Sequence, residues 1–214
     1  MIEVFNPDGR LYQWVLKVYE ILALHALFLV ASIPLVTIGT SATALYATWF
    51  RIWNGNYDGK LARTFFAEFR GNFAKSTVIW LSMVAVIAAS VWLVYPLAVA
   101  PAVRAFPPVS FVVIIVVAIV ALTCGYVFPV LARFENTAWR TVTNSFLLAL
   151  ANMGVSVIVF LINAGVLIGG FLLSGKFVIL WVFAAFGVAS FCNSWILNKV
   201  FAKYAPADAV PSAA

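Results

Sequence analysis

The sequence predicts an all-α fold: a polytopic α-helical membrane protein of about six transmembrane helices, one short or broken, plus a cytoplasmic interfacial amphipathic helix. Three observations predict it. Of the 214 residues, 65% are hydrophobic and only 9% are charged, where a soluble domain carries about 25% charge. Apolar runs recur along the whole chain, several near the ~20 residues that span a bilayer. The 13 lysines and arginines flank those runs rather than forming one patch, as the positive-inside rule requires.

The first run extends from about Leu16 to Ile33. The second, Thr40 to Trp53, rises only ~21 Å against a hydrocarbon core of ~30 Å, so it is a tilted short crossing or half of a re-entrant hairpin. Lys60 to Asn72 follows, with Leu61, Phe65, Phe66, Phe69 and Phe73 near helical spacing and Arg63, Glu68 and Arg70 between them. That pattern predicts an amphipathic helix lying in the interface. The third long run is Ser76 to Leu97, and a loop with Pro101, Arg104, Pro107 and Pro108 leads to the fourth, Val109 to Ala132. Phe134 to Asn144 reads as a second polar connector. The fifth run is Phe146 to Leu173, and the sixth, Phe177 to Leu197, follows a tight turn at Ser174-Gly175-Lys176. Residues 1–205 form one membrane domain, and the small, polar tail 206–214 is expected to be disordered.

With both termini in the cytoplasm and the short helix crossing, only Arg104 and Lys176 of the 13 basic residues fall outside. This bias sets the expected orientation. The N-terminus lacks the basic region of a signal peptide, so the first run is expected to persist in the mature chain. A net charge of +6 does not imply nucleic acid, because no basic–aromatic module accompanies it. Cys124 and Cys192 lie inside apolar runs and read as small hydrophobes, not as a disulfide or metal pair. Membrane-embedded carboxylates on facing helices, a Ser/His/Asp set, a metal cluster and a phosphate loop are all missing. The chain is therefore expected to be no enzyme, with no cofactor and no metal.

Ile33 to Ala42 carries a proline, a glycine and several hydroxyls between two apolar runs. Irregular backbone at membrane depth needs protein or a watery cavity to satisfy it, and broken helices often form ligand sites. Pro34, Thr37, Gly39, Thr40 and Ser41 are thus candidate ligand-binding residues. The competing reading is a tight turn, non-helical from Pro34 to Thr40, with Gly39 at positive φ and Thr40 or Ser41 capping a new helix. His25, the only histidine, is a candidate because ionisable groups in lipid are functional suspects. Asn193 is a candidate among several intramembrane amides that otherwise serve as helix–helix glue. Arg51, Arg133 and Arg140 at helix ends are candidate partner contacts, beside their role in topology. Gly165 with Gly169 forms a small-xxx-small packing step. Residues 72–81 resemble 152–161, each opening a spanning run, which raises an internal duplication.

The stretch Ile33-Pro34, Thr37-Ile38-Gly39 and Ala42-Thr43-Ala44-Leu45-Tyr46 resembles the signature of the YesL family of small bacterial membrane proteins. Phe66, Phe69, Asn72, Phe73, Lys75 and Ser76 are similar to its connector. Tyr126 to Phe134 and Asn193 to Phe201 are similar to its central and C-terminal motifs. The resemblance runs from about Trp14 to Tyr204. The family commonly has a proline after the TIG glycine; Thr40-Ser41 stand there in this chain. The resemblance implies a multi-pass protein of the bacterial plasma membrane without an assigned activity, often encoded beside carbohydrate ABC transporters and glycoside hydrolases. The expected function is an accessory or regulatory component of a carbohydrate uptake system, with the lipid bilayer and ABC transporter subunits or other membrane proteins as partners. Two alternatives stand: a small-molecule binding or transport subunit in its own right, and a structural assembly protein without ligand.

Overall fold

The computed structural model describes residues 10–99, 107–172 and 176–204. The N-terminal residues 1–9, most of the Pro101–Pro107 loop, the turn at 174–175 and the tail 206–214 lie outside them. The described elements are helical: α1 Arg10–Ala31, a 3₁₀ turn Leu35–Thr37, α2 Ile38–Trp53, α3 Leu61–Val99, α4 Pro107–Arg133, α5 Ala138–Ala151, α6 Met153–Leu172 and α7 Lys176–Ala202. Among the described residues, three stretches are long and apolar enough to cross a membrane: Leu11–Ala31, Leu61–Ala89 and Met153–Gly170.

Burial is inverted relative to a water-soluble bundle. Many leucines, valines and isoleucines face outward, with Leu161 at 60% and Leu167 at 64% exposure. Small hydroxyl residues are buried between helices, among them Thr40, Ser41, Thr43, Thr48, Ser76, Ser145 and Ser156. In lipid no hydrophobic force drives helices together, so close packing of small residues and interhelical hydrogen bonds hold them. The protein is an integral membrane protein.

The short helix α2 is the centre. It packs against α1, α3, α4 and α7, and ten of its 16 residues are buried. Gly39 is what admits α3 and α4: a Cβ there would stand 2.5 Å from Trp80 Cβ, 2.9 Å from Phe128 Cε1 and 3.0 Å from the Ser76 carbonyl. One core cluster joins Phe50, Tyr126, Val130, Val159, Leu197 and Phe201. Another joins Leu24, Ala44, Leu45, Trp49, Leu61 and Phe65.

Hydrogen bonds lock α2 to α7 at successive levels. Trp49 Nε1 donates to Ser190 Oγ at 3.3 Å and Trp53 Nε1 to Ser194 Oγ at 3.0 Å. Asn54 and Asn198 exchange amide bonds at 3.4 and 3.3 Å. The helix then stops in a Schellman motif: Gly55 takes φ +73°, and Asn56 N–H reaches the Arg51 carbonyl at 3.0 Å.

Several expectations change in detail. The predicted interfacial helix is helical, but it is the first part of α3, continuous with the spanning run for 39 residues. At 1.5 Å per residue α3 is ~58 Å long, beyond the ~40–45 Å of a whole bilayer, so its end projects from the membrane. Gly71 does not break it, and Asn72 Nδ2 donates back to the Glu68 carbonyl at 3.0 Å on its surface. The connector Phe134–Asn144 is largely α5, which Thr137 caps by accepting from Arg140 N–H at 3.4 Å. The expected fifth run is divided at Asn152, which sits at φ −121° between α5 and α6.

The break before α2 is real and shorter than expected. Pro34 is extended at φ −73°, ψ 116°, and α2 begins at Ile38 rather than near Ser41. Gly39 is therefore helical, and its role is close approach rather than positive φ. Thr40 and Ser41 lie within the first turns of α2 and do not cap it.

Candidate functional site

The ends of α2, α3 and α4 surround a polar recess of about 620 Å³. Its cations are Arg51, Lys75 and Arg133, and its carboxylates are Glu68 and Glu135. The Glu68 carboxylate is already engaged. Arg51 meets its Oε1 through Nη2 at 2.5 Å and Nε at 2.7 Å. Asn72 Nδ2 reaches Oε2 at 3.4 Å. Among the described residues, neither Lys75 nor Arg133 has an ion-pair partner. Asn54 and Asn56 add amides to the wall. The recess thus holds three cations against two carboxylates, a net positive charge beside several amides, an arrangement that favours an anionic group.

Nearby, Asp58 precedes α3 and accepts from Lys60 N–H at 3.3 Å and Thr64 Oγ1 at 3.4 Å. The Lys60 backbone bond is the main reason its carboxyl titrates below the ordinary range.

Arg51 and Arg133, two of the sequence-predicted partner contacts, converge on this recess. Arg140 does not; it is exposed on the first turn of α5. Glu68, Lys75, Asn54 and Asn56 were not among the candidate site residues read from the sequence. The polar character of 54–75 was visible, but only the fold shows which side chains face Arg133.

The other candidates lie apart. Thr37 Oγ1 donates to the Ala31 and Pro34 carbonyls at 2.6 and 2.7 Å. Thr40 Oγ1 pairs with Thr77 Oγ1 at 3.0 Å, and Ser41 Oγ donates to the Thr37 carbonyl at 2.9 Å. Trp80 Nε1 takes the Leu35 carbonyl at 2.8 Å. These bonds engage the hydroxyls of Thr37, Thr40 and Ser41 within the protein, while the buried Ser32 Oγ has no hydrogen-bond partner, and Pro34, Thr37, Gly39, Thr40 and Ser41 line none of the five cavities described. His25 is 1% exposed, stacked between the rings of Phe28 and Phe186 at 5.8 and 6.3 Å. Asn193 is fully buried and donates through Nδ2 to Asn163 Oδ1 at 3.1 Å.

A second cavity, about 540 Å³, opens between α2, α4 and α6. Tyr46, Gly125, Pro129 and Asn163 supply its polar features within otherwise apolar walls.

No curated protein and no solved structure matches the chain. The motifs at Ile33–Tyr46 and Phe66–Ser76 fall within the segment that a family model does match. Those at Tyr126–Phe134 and Asn193–Phe201 fall beyond it. Residues 21–94 match the family described as "Protein of unknown function, DUF624", the family-level likeness to which the motifs of that segment point.

Proposed function

We propose that this protein is an accessory membrane component of a bacterial carbohydrate uptake system, docking an acidic segment of an ABC transporter subunit in its polar recess. The observation that carries the reading is the recess itself: among the described residues, Lys75 and Arg133 have no ion-pair partner beside the Arg51–Glu68 pair. The basic residues of α2, α3, α4 and the end of α7 share this end of the bundle, which the positive-inside rule assigns to the cytoplasm. Lys176 opens α7, 23 residues or ~34 Å from Lys199. Both termini are then cytoplasmic and the membrane is the plasma membrane. The reading gives the protein a binding role, for which the charges and amides of the recess are suited. The family resemblance supports the carbohydrate connection.

The test is uptake of labelled sugars in cells lacking the gene, complemented with wild type or with the Lys75→Glu/Arg133→Glu double variant. The expected result is restored uptake with wild type and loss with the variant at equal membrane abundance. Equal uptake with both would refute recess docking. Normal uptake in the uncomplemented deletion would refute the uptake role.

A further inference from the structure

We propose that the cavity between α2, α4 and α6 binds an uncharged, hydroxyl-bearing amphiphile drawn from the bilayer. Its volume of about 540 Å³ falls within the ~300–1,000 Å³ of ordinary ligand pockets. Among the described residues, no charged residue lines it, so a charged headgroup would enter without compensation.

The polar groups on its wall have unfilled hydrogen-bonding capacity. Pro129 has no N–H, so the Gly125 carbonyl lacks the donor that a helix normally supplies four residues on. Both residues line the cavity. Asn163 faces the same space from α6. Its Nδ2 carries two hydrogens, and only one is committed, to the Val159 carbonyl at 2.8 Å. These groups are neighbours: a Cβ on Gly125 would stand 3.4 Å from Val159 Cγ1, one turn before Asn163. Behind them the fully buried Asn193 leaves Oδ1 without a hydrogen-bond partner. A hydroxyl both donates and accepts. It can therefore accept from Asn163 and donate to the Gly125 carbonyl, which neither an ether nor an ester can do.

The source is the bilayer. The α6 wall continues into Phe160, Leu167 and Ile168, exposed by 42, 64 and 57% on the lipid-facing surface. An acyl chain lying along that surface would place its headgroup at Asn163. The proposal does not depend on what docks in the polar recess.

Cys124 lines the cavity and provides the probe. In a Cys192→Ala background it is the only thiol. The experiment measures maleimide alkylation of Cys124 in the purified protein, titrated with monoolein or with methyl oleate, which has the same chain and no hydroxyl. The expected result is protection by monoolein at about fivefold lower concentration, the equivalent of one net hydrogen bond. Asn163→Leu should weaken protection by both lipids, since an ester oxygen also accepts from the Asn163 amide. Pro129→Ala, which returns an N–H to the Gly125 carbonyl, should remove the preference for the hydroxyl-bearing lipid. Cys124 also borders an apolar cavity between α3, α4 and α5, but Asn163 does not. Equal protection by the two lipids, no protection, protection unchanged in Asn163→Leu, or a preference unchanged in Pro129→Ala would overturn the proposal.

Discussion

At the scale of single residues, glycines separate two roles that look alike in sequence. Gly39 lies at a crossing where a Cβ would meet Trp80 Cβ and the Ser76 backbone, which do not yield as a flexible side-chain tip would. Gly39→Ala is expected to cost about 1–3 kcal/mol by overpacking. Gly71, also helical, is open: a Cβ added there would meet nothing within 4 Å. Gly71→Ala should stabilise the protein, by up to about 1 kcal/mol through helix propensity. Reversible unfolding in mixed micelles checks both; a neutral Gly39→Ala would contradict the packing account. The TIG segment was legible as a break because Pro34 forces one. That Gly39 serves close approach was not legible, since Trp80 and Phe128 are 41 and 89 positions away. Gly165 and Gly169 show the same limit. Gly169 abuts the Trp181 indole, whereas Gly165 meets nothing.

At the scale of elements, apolar run length marked the helices well but misplaced their joints. Length and hydropathy do not tell whether a polar stretch bends away or continues the helix. Phe65 is fully buried while Phe66 is exposed, a face compatible with either geometry. Spin labels at Arg63 and Ala85 distinguish them. A continuous α3 predicts a separation near ~33 Å, and a right-angle turn near Asn72 predicts ~24 Å. The α2–α7 ladder predicts measurable coupling. A double-mutant cycle of Trp53→Phe with Ser194→Ala should give ~0.6–1.7 kcal/mol, the range for intramembrane hydrogen bonds; zero coupling would remove the Trp53–Ser194 rung. The weak likeness of 72–81 to 152–161 has a structural counterpart. Ser76 and Ser156 are both buried, as are Ile79 and Val159. Asn72 and Asn152 each donate to the carbonyl four residues back.

At the scale of the whole molecule, composition and charge placement made the membrane class readable, because lipid imposes apolar surfaces on every spanning helix. The site was less readable. Arg51 and Arg133 were identifiable as helix-end cations, but their meeting around Glu68 and Lys75 depends on α2 being short enough to bring its end beside those of α3 and α4. The same geometry governs salt dependence. An anionic partner held by Lys75 and Arg133 at the water interface should dissociate as ionic strength rises, since exposed charges are screened within ~8 Å at physiological salt. The most direct measurement places a photo-crosslinking amino acid at Asn72, on the recess wall, in living cells. The account predicts adducts with a carbohydrate ABC transporter subunit, lost in the Lys75→Glu/Arg133→Glu variant and absent with the probe at lipid-exposed Leu161. Adducts that persist through charge reversal, or no protein adduct at all, would contradict it.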